Sequence, residues 1–127
     1  MKVRDLPPGQ LLSVGPETSV AEVARRMRTG DLDCVAVMSE DRLVGIITER
    51  DLVRAIADGL DPQQARSDLV MTADPATVDA DEEVAMVAVK MMRLGVRHLP
   101  VVNKSGKAIG LVSARNLVAV LEQGSDG

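Results

Sequence analysis

Two short stretches combine residue types with definite chemistry at a definite spacing: Thr48-x-x-Asp51 and Ser113-x-x-Asn116. A hydroxyl followed three positions later by an acid is a capping box. The hydroxyl takes a backbone N–H of the first helical turn, and the acid reaches back to the amide of the capping residue. Capping does not exclude ligand binding. A helix N-terminus presents unpaired N–H groups and the positive end of its dipole to an anion. A carboxylate on that turn suits a ribose, because its oxygens can accept hydrogen bonds from both hydroxyls of the diol. Asn116 has a single acceptor oxygen and no charge, so it would hold a diol less firmly, and Ser113-x-x-Asn116 reads as capping first.

The other candidates are few. The chain has one cysteine, Cys34, and one histidine, His98. An internal disulfide or a cysteine-rich metal cage is excluded, and Cys34 reads as a small buried thiol. Asp79, Asp81, Glu82 and Glu83 open a helix whose dipole they complement, and no metal site is read there. Arg50 and Arg115 sit on first helical turns, where solvation is the commoner fate. Nucleophilic or acid–base catalysis needs a nucleophile, a base and an orienting partner that converge. No such set is present, so no enzyme activity is expected.

The elements that position these residues form an internal repeat. Val20, Val23, Ala24 and Met27 recur 64 positions later as Val84, Val87, Ala88 and Met91. The i, i+3, i+4, i+7 spacing lays one apolar stripe along a helix in each copy. Apolar runs at 34–38 and 98–102 follow, each ending in a polar turn, and second apolar runs at 43–47 and 108–112 complete two β-hairpins. The second turn is one residue longer, so Gly45 matches Gly110, Arg50 matches Arg115 and Leu52 matches Leu117 at an offset of 65. A last helix starts at Thr48 or Ser113 and is expected to stop before Gly59 or Gly124. Residues 60–72, with Asp61-Pro62, join the copies without continuing a helix. The division is a first repeat over 1–61 and a second over 62–127. Arg97 and His98 correspond to Asp33 and Cys34, so the basic pair is one-sided. A lone histidine in a strand is more often packed or solvated than ligating. Met91 and Met92 are expected to divide between the core and an oligomer face.

Two copies are too few for an open solenoid, and a closed pair facing across a pseudo-twofold axis, with two related clefts, is the economical arrangement. At 127 residues, 46% of them apolar and none aromatic, the core must be aliphatic, and so must any base-binding pocket. A net charge of −4 with interspersed signs, and no aromatic platforms, argues against nucleic acid. No apolar run reaches membrane-span length, and the first residues lack the apolar stretch of a secretory signal. A cytoplasmic protein with no membrane partner is the expectation.

The residues 45–52, Gly-Ile-Ile-Thr-Glu-Arg-Asp-Leu, resemble the signature of the cystathionine-β-synthase (CBS) repeat: Gly, two apolar residues, Ser or Thr, two variable residues, Asp. Residues 110–117 are its second copy, with Asn116 in place of Asp. Residues 96–102 resemble the first hairpin strand of that family, and 14–17, 77–80 and 70–72 resemble its lead-in segments. The likeness spans roughly residues 3–124. It implies an α/β (α+β) fold of two βαββα repeats, a Bateman-type pair similar to small stand-alone bacterial regulatory proteins. It also implies a non-catalytic sensor, with AMP, ADP or ATP as the expected ligand and S-adenosylmethionine or NAD as alternatives. By that resemblance Asp51 holds ribose with Thr48 near ribose or phosphate, Ile47, Thr77 and Val78 face the base, and Arg97 and His98 reach phosphate. Val14, Ser113 and Asn116 make a second, weaker site. No resident cofactor or metal is implied. A homodimer and an unidentified protein target are expected partners. The competing reading is a structural module that mediates protein contacts and binds nothing small.

Overall fold

The computed structural model describes residues 1–7 and 11–125. A 3-10 turn, Val3–Asp5, opens the chain. It is followed by β1 (Ser13–Val14), α1 (Val20–Gly30), β2 (Cys34–Ser39), β3 (Arg42–Thr48), α2 (Glu49–Ala57), α3 (Ser67–Val70) and β4 (Thr72–Ala73). The second half continues with α4 (Val84–Leu94), β5 (His98–Val102), β6 (Ala108–Ser113) and α5 (Ala114–Ser125). The fold is mixed α/β, with the helix–hairpin–helix unit written twice. No helix among the described residues is long and apolar enough to cross a membrane.

Local chemistry accounts for the elements. Ser19 caps α1 by accepting the Glu22 amide at 3.1 Å, and the buried face is Val20, Val23 and Met27. On α4 the same positions, Val84, Val87 and Met91, are buried, and Gly95 closes the helix at φ 67°. Met91 joins the core while Met92 is exposed. The β2–β3 hairpin turns through Glu40 and Asp41, both at positive φ, as a tight two-residue loop requires. The longer β5–β6 turn is organised by Asn103, whose Oδ1 accepts from the amides of Ser105 and Lys107.

The chain divides into two compact units, one of Leu11–Pro75 and one combining the N-terminal segment with Ala76 onward. The sequence period and the compact units are therefore cut differently, and hydrogen bonding explains why. The Val3 amide donates to Glu82 O, and 64 residues on the Ser67 amide donates to Thr18 O. In the same way Arg4 to Ala80 O mirrors Asp68 to Pro16 O, and Val84 to Met1 O mirrors Val20 to Ala65 O. The lead-in of each repeat thus completes the first-helix start of the other repeat's unit. Each unit has its own aliphatic core. One gathers Val14, Val23, Met27, Val35, Val37 and Ile47, and the other their counterparts Val78, Val87, Met91, Leu99, Val101 and Val112.

Residues 60–72 do not continue α2, and beyond what the spacing indicated they contain α3 and reach into β4, which pairs with β3 through Gly45↔Ala73 and Ile46↔Thr72. That segment finds its partners in the distant hairpin edge, which no local periodicity reports. And α5 runs on to Ser125 rather than stopping before Gly124. Glycine permits a left-handed exit without forcing one, whereas Gly59 adopts it after α2 at φ 80°.

The matched glycines differ in their surroundings. A Cβ on Gly45 would meet Met71 Cγ at 2.8 Å and Thr72 O at 3.0 Å, whereas on Gly110 the nearest atoms are those of Val101 at 3.8 Å. Gly45→Ala is expected to lower stability by about 1–3 kcal/mol, the usual cost of overpacking. Gly110→Ala is expected to be neutral or slightly stabilising, since it only removes backbone freedom from the unfolded chain. Urea denaturation of the two variants checks the contrast; equal effects would contradict it.

Candidate functional site

Asp51 is one of two buried polar or charged residues among those described. The β3–α2 junction places it there. Thr48 ends the strand at φ −108° and ψ 170° and caps α2. Its Oγ1 accepts the Asp51 amide at 3.4 Å, and its own amide donates to Asp51 Oδ2 at 2.9 Å. The Thr48 hydroxyl lies 3.2 Å from the same oxygen. A residue that sequence reasoning did not single out completes the shell: Thr72 Oγ1, carried by β4, lies 3.3 Å from Asp51 Oδ1 and 3.5 Å from Oδ2. Its place directly after the Val70-Met71 lead-in was the available signal. Arg54, one helical turn on, is 3.9 Å from Oδ1.

An ionised carboxylate offers about four acceptor positions. The Thr48 amide and hydroxyl take two on Oδ2, and the Thr72 hydroxyl bridges toward both oxygens. Asp51 is therefore both a structural cap and the holder of an exchangeable hydroxyl. A diol that approached this carboxylate would replace one alcohol with another, at little cost in hydrogen bonding.

The second copy is built more loosely. Ser113 caps α5, with its Oγ accepting the Asn116 amide at 3.2 Å and its hydroxyl donating to Asn116 Oδ1. Asn116 is exposed. Nothing among the described residues stands to it as Thr72 does to Asp51.

The residues expected at a ligand fall in both units. Ile47, Thr48, Asp51 and Val14 belong to Leu11–Pro75, while Thr77, Val78, Arg97, His98, Ser113 and Asn116 belong to the other. The structure brings Thr48 and Asp51 into direct contact, with Ile47 fully buried in the preceding strand position. In the second unit Val78 is buried and bridges to Val101; its amide donates to Pro100 O. The Thr77 carbonyl accepts Lys90 Nζ at 2.7 Å. Arg97 is exposed, its carbonyl accepting the Ala114 amide, and His98 pairs with Ser113 across the hairpin.

Cys34 is buried in β2. Burial, reinforced by the negative charges of Asp33 and Asp51, pushes its thiol from the ordinary 9.0 up to about 12. A thiol whose folded pKa is raised contributes its stability in full below pH 9, and loses it as pH climbs towards 12. Native protein is expected to resist thiol reagents at pH 8 and to react once denatured. Its denaturation midpoint should fall between pH 9 and 12, with a smaller fall in Cys34→Ala. For the caps, Asp51→Ala should cost about 1–2 kcal/mol, because two threonine hydroxyls and a backbone amide lose their acceptor. Asn116→Ala should cost less than about 1 kcal/mol. Chemical denaturation of the pair provides the check.

Comparison with known proteins gives one consistent answer. The CBS domain family matches residues 3–58 and 66–123. The chain is 36% identical over 122 residues to an uncharacterized 17.7 kDa protein of Acidianus ambivalens, covering 94% of this chain and 73% of that one. It is 36% identical over 107 residues to the inosine-5'-monophosphate dehydrogenase of Korarchaeum cryptofilum, of which it spans only 21%. Among solved structures, the CBS domain protein PAE2072 from Pyrobaculum aerophilum, complexed with AMP, superposes with a TM-score of 0.88 over 100% of both chains at 27% identity. A CBS-domain containing protein from Agrobacterium tumefaciens gives 0.86 at 27% identity, over 94% of this chain and 92% of that one. Two matched repeats with mirrored caps, cores and lead-in bonds are what the two family matches cover, and the chain belongs to the CBS domain family.

Proposed function

We propose that this chain is a regulatory sensor module that binds an adenine nucleotide or a related adenosyl ligand and performs no catalysis on it. The observation that carries the reading is Asp51: a buried carboxylate at a helix start, already holding one exchangeable alcohol from Thr72. A ribose hydroxyl is the natural replacement. The AMP complex of the Pyrobaculum aerophilum protein, similar over the whole chain, supports the ligand class. The residues proposed to hold the nucleotide are Asp51 and Thr48 at ribose, Ile47, Thr77 and Val78 at the base, and Arg97 and His98 at phosphate. Val14, Ser113 and Asn116 are the weaker counterpart.

Such a module acts by differential binding: a ligand shifts an equilibrium only as far as it prefers one arrangement over another. The arrangement proposed to respond is a homodimer. Val53 and Ile56 on α2 and their counterparts Val118 and Leu121 on α5 are all exposed. The two helices so repeat an apolar outer face that suits association of two copies. A downstream protein target would read the change.

Calorimetric titration tests the reading, because the chain has no Trp or Tyr to report binding by fluorescence. AMP, ADP, ATP, NAD and S-adenosylmethionine should be titrated into wild type and Asp51→Ala. At least one adenine nucleotide is expected to bind wild type, with affinity at least tenfold lower in the variant, about 1.4 kcal/mol, and to be recovered unchanged. Equal affinities would remove Asp51 from the site. Binding of none of the five would favour the protein-interaction reading.

A further inference from the structure

Helices α1 and α4 share a buried face and differ on the opposite one. On α4, Ala85, Val89 and Met92 fall at i, i+4 and i+7, one row on the side away from the buried Val84, Val87 and Met91. All three are exposed, Met92 to 82%, and Met86 in the adjoining row is exposed to 61%. At the offset of 64 the same positions on α1 are Ala21, Arg25, Arg28 and Glu22. There Glu22 receives Arg25 at 2.8 Å and Arg26 at 3.3 Å, a self-compensated charged surface. Helix α1 is thus an internal control. The fold is satisfied by a charged outer face at this position, so packing does not require the apolar one on α4.

We infer that the outer face of α4 docks an amphipathic helix of another protein, which lays an apolar stripe on Val89 and Met92 and sets carboxylates beside Arg93. Contiguous exposed apolar surface marks an interaction site, where scattered residues do not. A helix meets such a face through anchors at i, i+3, i+4 and i+7, and the unbranched methionine thioether adapts to a partner's shape. Charge selects the partner. Residues 84–102 contain Lys90, Arg93 and Arg97 and no acid. The carboxylates just before α4 are already engaged, Glu83 by the N-terminal amine at 3.3 Å and Glu82 by Lys90 at 3.9 Å. Lys90 also donates to Thr77 O. Arg93, in the row of Met86, is exposed and has no ion pair among the described residues. Two copies meeting here would enclose Arg93 with no carboxylate on either α4 to receive it. A helix flanked by Glu or Asp supplies that carboxylate, and the guanidinium fork fixes its register. The docking needs no nucleotide, and it stands whether or not Asp51 binds ribose.

Methionine ε-methyl NMR makes the test direct, because Met86 and Met92 report the face while the buried Met27 and Met91 report the two cores. Two synthetic helical peptides serve as probes. Both carry leucines at i, i+3, i+4 and i+7; one is flanked by glutamates and the other by lysines. In nucleotide-free protein the glutamate peptide is expected to shift Met86 and Met92 saturably, far more than Met27 and Met91. It should bind at least tenfold more tightly than the lysine peptide. Arg93→Glu should reverse that preference and Met92→Glu should abolish binding, both variants keeping the dispersed Met27 and Met91 signals of folded cores. Met86 and Met92 unmoved by either peptide at millimolar concentration would overturn the inference. So would equal affinity for the two peptides, or a preference that Arg93→Glu leaves unchanged. Shifts that grow with protein concentration alone and vanish in Met92→Glu would overturn it by placing a second copy on the face. Shifts caused by phosphatidylglycerol vesicles and by neither peptide would overturn it in favour of a membrane. No nucleotide enters these titrations, so their outcome is separate from that of the sensor reading.

Discussion

The rest of the structure depends on the exchange of lead-in segments between the repeats. The first turn of a helix leaves N–H groups that its own backbone cannot pair, and the residues just before it carry carbonyls that must also be satisfied. In α1 and α4 part of that demand is met by chain from the other repeat, through Ala65 and Ser67 for α1 and through Met1 and Val3 for α4. The buried residue at the equivalent position is Val3 in one unit and Ser67 in the other. Ser67 compensates for its polarity by donating its hydroxyl to Thr18 O at 2.6 Å. The repeat that recurs along the sequence is for this reason not the unit that packs.

A chemical asymmetry between the two helix starts follows from the same exchange. What lies beside each capping box depends on which lead-in arrives there. Residues 71–73 bring a thioether over Gly45, a hydroxyl to Asp51 and a strand to the free edge of β3. The N-terminal lead-in brings Pro7 to the corresponding region near Asn116. A near-duplicate scaffold so presents an acceptor carboxylate in one unit and a donor carboxamide in the other. Duplicated architecture is compatible with divergent chemistry, because the caps and cores need only shape and hydrogen bonding, while ligand choice turns on one or two polar atoms.

Much of this was legible in the residues. The 3.6-residue stripes at Val20–Met27 and Val84–Met91, the two hairpins, and the capping boxes at Thr48 and Ser113 depend on short-range patterning, and they stand where the spacing put them. The unequal pair Asp51 and Asn116 was also readable from residue type alone. What patterning could not supply was long-range. Thr72 sits 21 residues from Asp51, and β4 exists only because β3 has an edge to complete. The end of α5 was misjudged because a glycine allows a stop without imposing one.

The most direct measurement compares two fragments of nearly equal length, residues 11–75 and residues 1–61, by circular dichroism and urea unfolding. The first holds the complete compact unit with its borrowed lead-in. The second follows the sequence repeat and lacks Ala65, Ser67 and Thr72. Cooperative unfolding of 11–75, with 1–61 largely unstructured, is the predicted result. A cooperatively folded 1–61 at least as stable as 11–75 would contradict the claim that each repeat is completed by the other's lead-in.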